Sequence, residues 1–127
     1  MLQSPPGGFY PGQAAIEAYG DGGFRFAGMS HRGSLLVLPG GIYAWDVAEA
    51  NGLRPEDFAQ VLAEAGKLEF ILLGTGAAQH FPSPTIRQAF EAAGLGLEAM
   101  STGAAARTFN VLLAEGRKVA AALIAVA

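Results

Sequence analysis

Residues 69–84 read EFILLGTGAAQHFPSP. Phe70-Ile71-Leu72-Leu73 is a short, uninterrupted apolar run. A run of that kind predicts a central strand buried on both faces. It stops at Gly74-Thr75-Gly76, the point at which open α/β sheets place their ligand crevice. A loop carrying His80 follows, and Ser83-Pro84 then opens a helix, serine as N-cap and proline behind it.

Downstream, the pattern repeats. Ile86, Ala89, Phe90 and Ala93 recur at helical spacing until Gly94. Leu95 to Met100 predicts another short strand, and Ser101-Thr102 an N-cap for a third helix. Ala105, Phe109, Leu112 and Leu113 lie on the inner face of that helix, and Gly116 ends it. Lys118 to Val126 predicts a long final strand. Upstream, Pro55 suits a first helical position, with Glu56 and Asp57 at the positive end of the dipole. Phe58, Val61, Leu62 and Ala65 then form one apolar face, and Gly66 supplies the expected C-terminal cap. The back half thus reads as helix–strand repeated three times, the grammar of a largely parallel sheet with crossover helices on both faces.

The front half reads differently. Around Gly20-Asp21-Gly22-Gly23 it predicts a hairpin, with Phe24 and Phe26 on one face and Arg25 on the other. His31-Arg32-Gly33 reads as a loop or turn. Ser34 to Leu38 and Ile42 to Trp45 read as strands joined by Pro39-Gly40-Gly41. The whole predicts a single α/β domain over residues 13–127. It would be three-layered, with a mixed, mostly parallel sheet between helices and a small N-terminal hairpin layer. Residues 1–12, MLQSPPGGFYPG, read as a flexible leader.

Composition narrows the function classes. The 127 residues suffice for one domain with a core, and 51% of them are hydrophobic. Net charge is −3 with no basic block, which argues against nucleic acid and a membrane surface as partners. No segment has the ~20 apolar residues of a membrane span, so no membrane insertion is expected. There is no cysteine, hence no disulfide, thiol nucleophile or cysteine–metal site. That fits a reducing compartment, and a cytoplasmic location is expected.

The third helix carries a resemblance. Residues 101–117, STGAAARTFNVLLAEGR, resemble the signature of a conserved small-protein family of unknown function. That family includes a mitochondrial respiratory complex I assembly factor and a vertebrate adipogenesis-associated protein. The Gly74-Thr75-Gly76 loop, the proline-containing segment before the second helix and the Leu38-Pro39-Gly40 turn resemble it in order and spacing. The resemblance runs from about Tyr19 to the C-terminus and is to the bacterial members. It implies a three-layer α/β fold with an extra β layer, and no established reaction. Many members carry Asp where Ser101 stands, Cys where Ala106 stands and Tyr where Phe109 stands, so chemistry needing a carboxylate or thiol at that helix start does not apply here.

No complete catalytic motif exists, and no catalytic residue is assigned. Gly74-x-Gly76 begins a dinucleotide fingerprint, but Gln79 stands in the third glycine's place and the helix starts late. No dinucleotide or other cofactor is expected. His31 and His80 lack metal-ligand spacing, so no metal is expected. No Gly-x-Ser-x-Gly elbow is present. Glu64 and Glu91 read as solvated positions, and Asp46 has no ready explanation.

The candidate contact site is the crevice between the loop Gly74, Thr75, Gly76, His80, Phe81 and Pro82 and the helix start Ser101, Thr102 and Arg107, with Asn110 one turn on. The expected role is a non-catalytic interaction or assembly module with protein partners. The alternative is a small anionic-ligand binder or unrecognised enzyme, because two sets of free amides at such a crevice could cradle an anion. An apolar surface hidden in a homodimer would read the same as a core.

Overall fold

The computed structural model describes residues 10–127, and its first element is a pair of tight hairpins. Strands β1 (Ile16–Gly20), β2 (Gly23–Phe26) and β3 (Met29–Arg32) make a three-stranded antiparallel sheet in that order. Their turns, Asp21-Gly22 and Ala27-Gly28, hold all four residues at positive φ: 52°, 79°, 49° and 74°. Two-residue type I′ hairpin turns demand that backbone. Phe24 and Phe26 are buried and Arg25 is exposed, as the alternation predicts. The expected loop at His31-Arg32-Gly33 is corrected: His31 and Arg32 complete β3. The second turn uses an alanine in a left-handed conformation, which carries no turn signal in sequence.

β4 (Ser34–Leu38) and β5 (Gly41–Trp45) form a hairpin within the main sheet, in register from Ser34↔Trp45 to Leu38↔Gly41. The Gly40 N–H in its turn donates to Glu64 Oε1 at 2.8 Å, so Glu64 clamps the turn instead of sitting on a solvated face. The helix expected from Pro55 to a Gly66 cap is also corrected. It is a 3-10 turn (Pro55–Phe58), a short α1 (Ala59–Leu62) and a second 3-10 turn (Ala65–Lys67). The amides of Glu64, Lys67 and Leu68 each bond three residues back, at 2.9–3.1 Å, which winds this segment more tightly than an α-helix. Its apolar positions still do their job, since Phe58 and Val61 are wholly buried.

The remaining elements follow the expected order: β6 (Phe70–Gly74), α2 (Pro84–Ala92), β7 (Gly96–Met100), α3 (Thr102–Ala114) and β8 (Val119–Leu123). Both helices start on their serines. Ser83 Oγ accepts the Ile86 N–H at 3.3 Å, and Ser101 Oγ the Ala104 N–H at 3.4 Å. The main sheet runs β5-β4-β8-β6-β7. β6 lies parallel to β7 and β8, while β4 lies antiparallel to β5 and β8. β6 is therefore an interior strand, but the middle of the sheet is β8, whose five residues are all buried. β8 ends at Leu123, short of the predicted Val126.

Each face of the sheet carries its own core. On one face Phe58, Val61, Ile86 and Phe90 pack on Leu36, Leu38, Ile71 and Leu73. There the Trp45 and Phe58 ring centroids lie 5.5 Å apart and those of Phe58 and Phe90 5.2 Å, with Trp45 Nε1 donating to Asp57 O at 2.8 Å. On the other face Ala105, Ala106 and Phe109 of α3, joined by Ile16, Phe24 and Phe26, pack on Leu35, Val37, Leu72 and Leu123. The result is a single α/β domain in which α1 and α2 cover one face, and α3 and the small sheet share the other. Of the expected leader, residues 1–9 lie outside the described residues. Tyr10 bridges to Ile42 on the outer edge of β5, its carbonyl accepting the Ile42 N–H at 3.1 Å.

Candidate functional site

The expected crevice is closed at its centre. A methyl group on Gly74 would lie 2.9 Å from Thr102 Cα and 3.0 Å from Leu123 Cδ2, so the glycine allows β6, β8 and α3 to meet in direct contact. The polar groups around this junction bond to one another. Thr102, with no exposed surface, donates its N–H to Gly76 O at 2.8 Å and its hydroxyl to Ile124 O at 2.6 Å. The same hydroxyl accepts the Gly76 N–H at 2.9 Å. The Ile124 N–H in turn donates to Gly74 O at 2.9 Å.

Thr75, also buried, organises the loop that follows. Its N–H donates to Met100 O at 2.9 Å. Its hydroxyl donates to Ala78 O at 2.7 Å and accepts the His80 N–H at 3.0 Å. The amides of Thr75, Gly76 and Thr102, which could have cradled an anion, are thus engaged inside the protein. Among the described residues no buried side-chain nitrogen or oxygen lacks a partner.

Around this closed junction the candidate residues separate. His80, Phe81 and Pro82 line a groove of about 360 Å³ on the α2 face, opposite Asn51, Gly52 and Leu53. Phe81 is 73% exposed. A second groove, of about 410 Å³, flanks it toward β7 and is lined by Gln79, Arg87, Phe90 and Leu97. Arg107 and Asn110 lie on the other face of the sheet, along a groove of about 290 Å³ with Glu17 and Tyr19. Asn110 clamps β1 to α3: its Oδ1 accepts the Ile16 N–H and its Nδ2 donates to Ile16 O, both at 2.8 Å. Arg107 is exposed, and no described carboxylate pairs with it. The ring of Tyr19 stands over Gly103, where any side chain would collide with it.

Sequence reasoning missed two polar anchors. Ser34 is buried; its hydroxyl donates to Val47 O at 2.5 Å and accepts the Ala125 N–H at 3.0 Å. The only signal is a serine opening an otherwise apolar strand. Gln13 reaches from the N-terminal segment to donate to Val119 O at 2.8 Å. His31 Nε2 lies 3.1 Å from Ser34 O. Burial pushes its pKa below the ordinary value of 6.5, and the Ser34 carbonyl acts in the opposite sense. The described residues contain no cluster of metal-ligating side chains, and none of their helices is long and apolar enough to cross a membrane.

The model of a family described as a protein of unknown function (DUF498/DUF598) matches residues 16–124. The chain belongs to this family. An uncharacterized protein from Rhodobacter capsulatus is 41% identical over 125 residues, covering 98% of this chain and 93% of that protein. NADH dehydrogenase [ubiquinone] 1 alpha subcomplex assembly factor 3 of Mus musculus is 31% identical over 124 residues, covering 98% of this chain. The match spans 65% of the mouse factor's length. A crystal structure described as an outer membrane protein from Bartonella henselae superposes with a TM-score of 0.90 at 48% identity, covering 94% of this chain and 100% of that one.

Proposed function

We propose that this protein is a non-catalytic interaction module that assists assembly of a respiratory NADH dehydrogenase, acting through protein partners in the bacterial cytoplasm. The observation that carries the reading is Phe81, 73% exposed on a ridge between two grooves of about 360 and 410 Å³. A large aromatic side chain left in water beside concave surface is what a docking site requires, because its burial then supplies affinity. Internal pairing of the Thr75, Gly76 and Thr102 amides supports a protein partner over a small anion. Likeness to assembly factor 3 supports the choice of process. His80 and Pro82 flank the contact; Arg107, on the far face, lies outside it.

The test uses Rhodobacter capsulatus deleted for its 41%-identical relative. Mature NADH dehydrogenase is measured on native gels and by NADH oxidation in membranes. The deletion is expected to deplete the mature enzyme and the present chain to restore it. Phe81→Ser should fail to restore it while remaining folded by its amide spectrum, and Arg107→Ala should succeed. Undiminished enzyme in the deletion strain, or equal rescue by Phe81→Ser, overturns the reading.

A further inference from the structure

The main sheet has two edges, and they are finished differently. On β5, Ile42 is covered by the Tyr10 bridge. The other edge is β7. Its pairing with β6 is fixed by Gly96 N–H to Glu69 O at 3.2 Å and Thr75 N–H to Met100 O at 2.9 Å. In a parallel ladder this turns the peptide groups of Gly96, Glu98 and Met100 toward β6 and those of Leu97 and Ala99 outward. One outward acceptor, Ala99 O, takes a hydrogen bond from Gln79 Nε2 at 2.8 Å. The N–H groups of Leu97 and Ala99 and the Leu97 carbonyl have no partner among the described residues.

Side chains beside this edge define what could pair with it. Leu97 and Ala99 pack toward the α2 face and Met100 toward the other, so Glu98 shares the side of Met100. The groove of about 410 Å³ runs along the α2 side, with Phe81, Pro82 and Phe90 as its apolar wall. On the groove side the charges are Glu91 and Arg87, while the Glu98 side chain stands on the opposite side of the strand. A strand laid along β7 would drop alternate side chains into that groove and place the intervening one next to Glu98.

We propose that β7 accepts an extended segment of a partner protein as a sixth strand, with apolar side chains in the groove and a lysine or arginine beside Glu98. This rests on the interaction-module reading and specifies where the partner docks and by what chemistry. Main-chain hydrogen bonds to an exposed edge supply affinity, and pockets for alternate side chains supply selection. A second copy of this chain is a poorer occupant. Antiparallel self-pairing over all five residues of β7 sets Glu98 opposite the same residue of the copy, and like charges directly opposite destabilise a pair.

The probe is a blocked pentapeptide alternating lysine and valine, titrated into the full ¹⁵N-labelled chain and compared with a glutamate–valine peptide. The lysine peptide is expected to shift the Leu97 and Ala99 amides saturably and slow their hydrogen exchange. The glutamate peptide should bind about two- to fivefold more weakly, the worth of one cross-strand charge pair. Glu98→Lys should reverse the preference. Ala99→Pro, which removes an outward-facing N–H at a position where an edge strand tolerates proline, should abolish the response while the spectrum stays folded.

Unmoved Leu97 and Ala99 amides at millimolar peptide, equal response to both peptides, or self-association in sedimentation that Ala99→Pro abolishes would each overturn the proposal. The two readings fail separately. If the wild-type chain does not restore the Rhodobacter strain, the assembly reading falls, and the peptide titration still decides the edge. If Ala99→Pro restores it as well as wild type, the edge proposal falls alone.

Discussion

The Gly74–Thr102 junction and the free edge of β7 belong to the same sheet and treat their backbone groups in opposite ways. At the junction the Gly76 and Thr102 amides and the Gly74, Gly76 and Ile124 carbonyls all close on one another through a single buried hydroxyl and its neighbours. At the edge, Leu97 and Ala99 point peptide groups outward, and one glutamine side chain covers one of them. The junction carries the sequence features that suggest a ligand: glycines after a strand, and hydroxyl residues at a helix start. The edge carries none, because any short strand is an edge or an interior strand according to the sheet order around it. Glycine and threonine at a strand exit serve close packing as readily as binding. What distinguishes the two is whether their donors are already spent.

Thr102→Val should have the largest effect on the junction. The change keeps the shape and removes the hydroxyl that serves Gly76 N–H at 2.9 Å and Ile124 O at 2.6 Å. The buried Ile124 carbonyl and the partly buried Gly76 N–H would both be left unpaired, so a loss of about 3 kcal/mol in unfolding free energy is expected. A denaturant midpoint shift far smaller than that, with an unchanged m-value, would mean that water already reaches the junction. The crevice would then be open after all.

Next in size is Gly74→Ala. The new methyl would stand 2.9 Å from Thr102 Cα and 3.0 Å from Thr102 Oγ1 and Leu123 Cδ2. One of these contacts is backbone, so the helix start or β8 must shift, at a cost of about 2 kcal/mol. The same substitution at Gly66, where a methyl meets nothing within 4 Å, serves as the control in equilibrium unfolding. Equal effects at the two positions would sink the argument that Gly74 is held by close approach.

These two residues also show what could be read in advance. Local signals were legible: the buried run at Phe70–Leu73, the serine caps at 83 and 101, and the alternation of Phe24 and Phe26 each depend on neighbours a few residues away. The partners of Thr102 are not local. Gly76 and Ile124 lie 26 and 22 residues off, and nothing in the chain announces that one hydroxyl will serve both. β3 was hidden because its turn runs through Ala27 at φ 49°, a conformation alanine rarely signals. The broken helix after Pro55 was hidden because its apolar spacing is right, while Glu64 is drawn to the Gly40 amide. Loop and helix start were expected to converge because both follow parallel strands. They do converge, so closely that the space between them is filled, and the residues beyond divide between the two faces of the sheet.

His31 falls between the closed junction and the open edge: partly buried, partnered, and titratable. Burial holds its folded-state pKa below the ordinary 6.5, against the pull of Ser34 O at 3.1 Å. About one pH unit or more above 6.5 the ring is neutral in both folded and unfolded chains, so it adds no pH dependence there. As pH falls from that value toward the lower folded pKa, the unfolded chain binds the proton more readily, and stability is lost. His31→Gln removes this titration while keeping a hydrogen-bonding side chain next to the Ser34 carbonyl. Unfolding midpoints at about pH 7.5 and about pH 5.5, bracketing the ordinary histidine pKa, should therefore fall further on acidification in the wild type than in the variant. Matching acid losses in the two proteins would show that His31 is as well hydrated folded as unfolded, and that the hairpin sheet shields its polar groups no better than the β7 edge does.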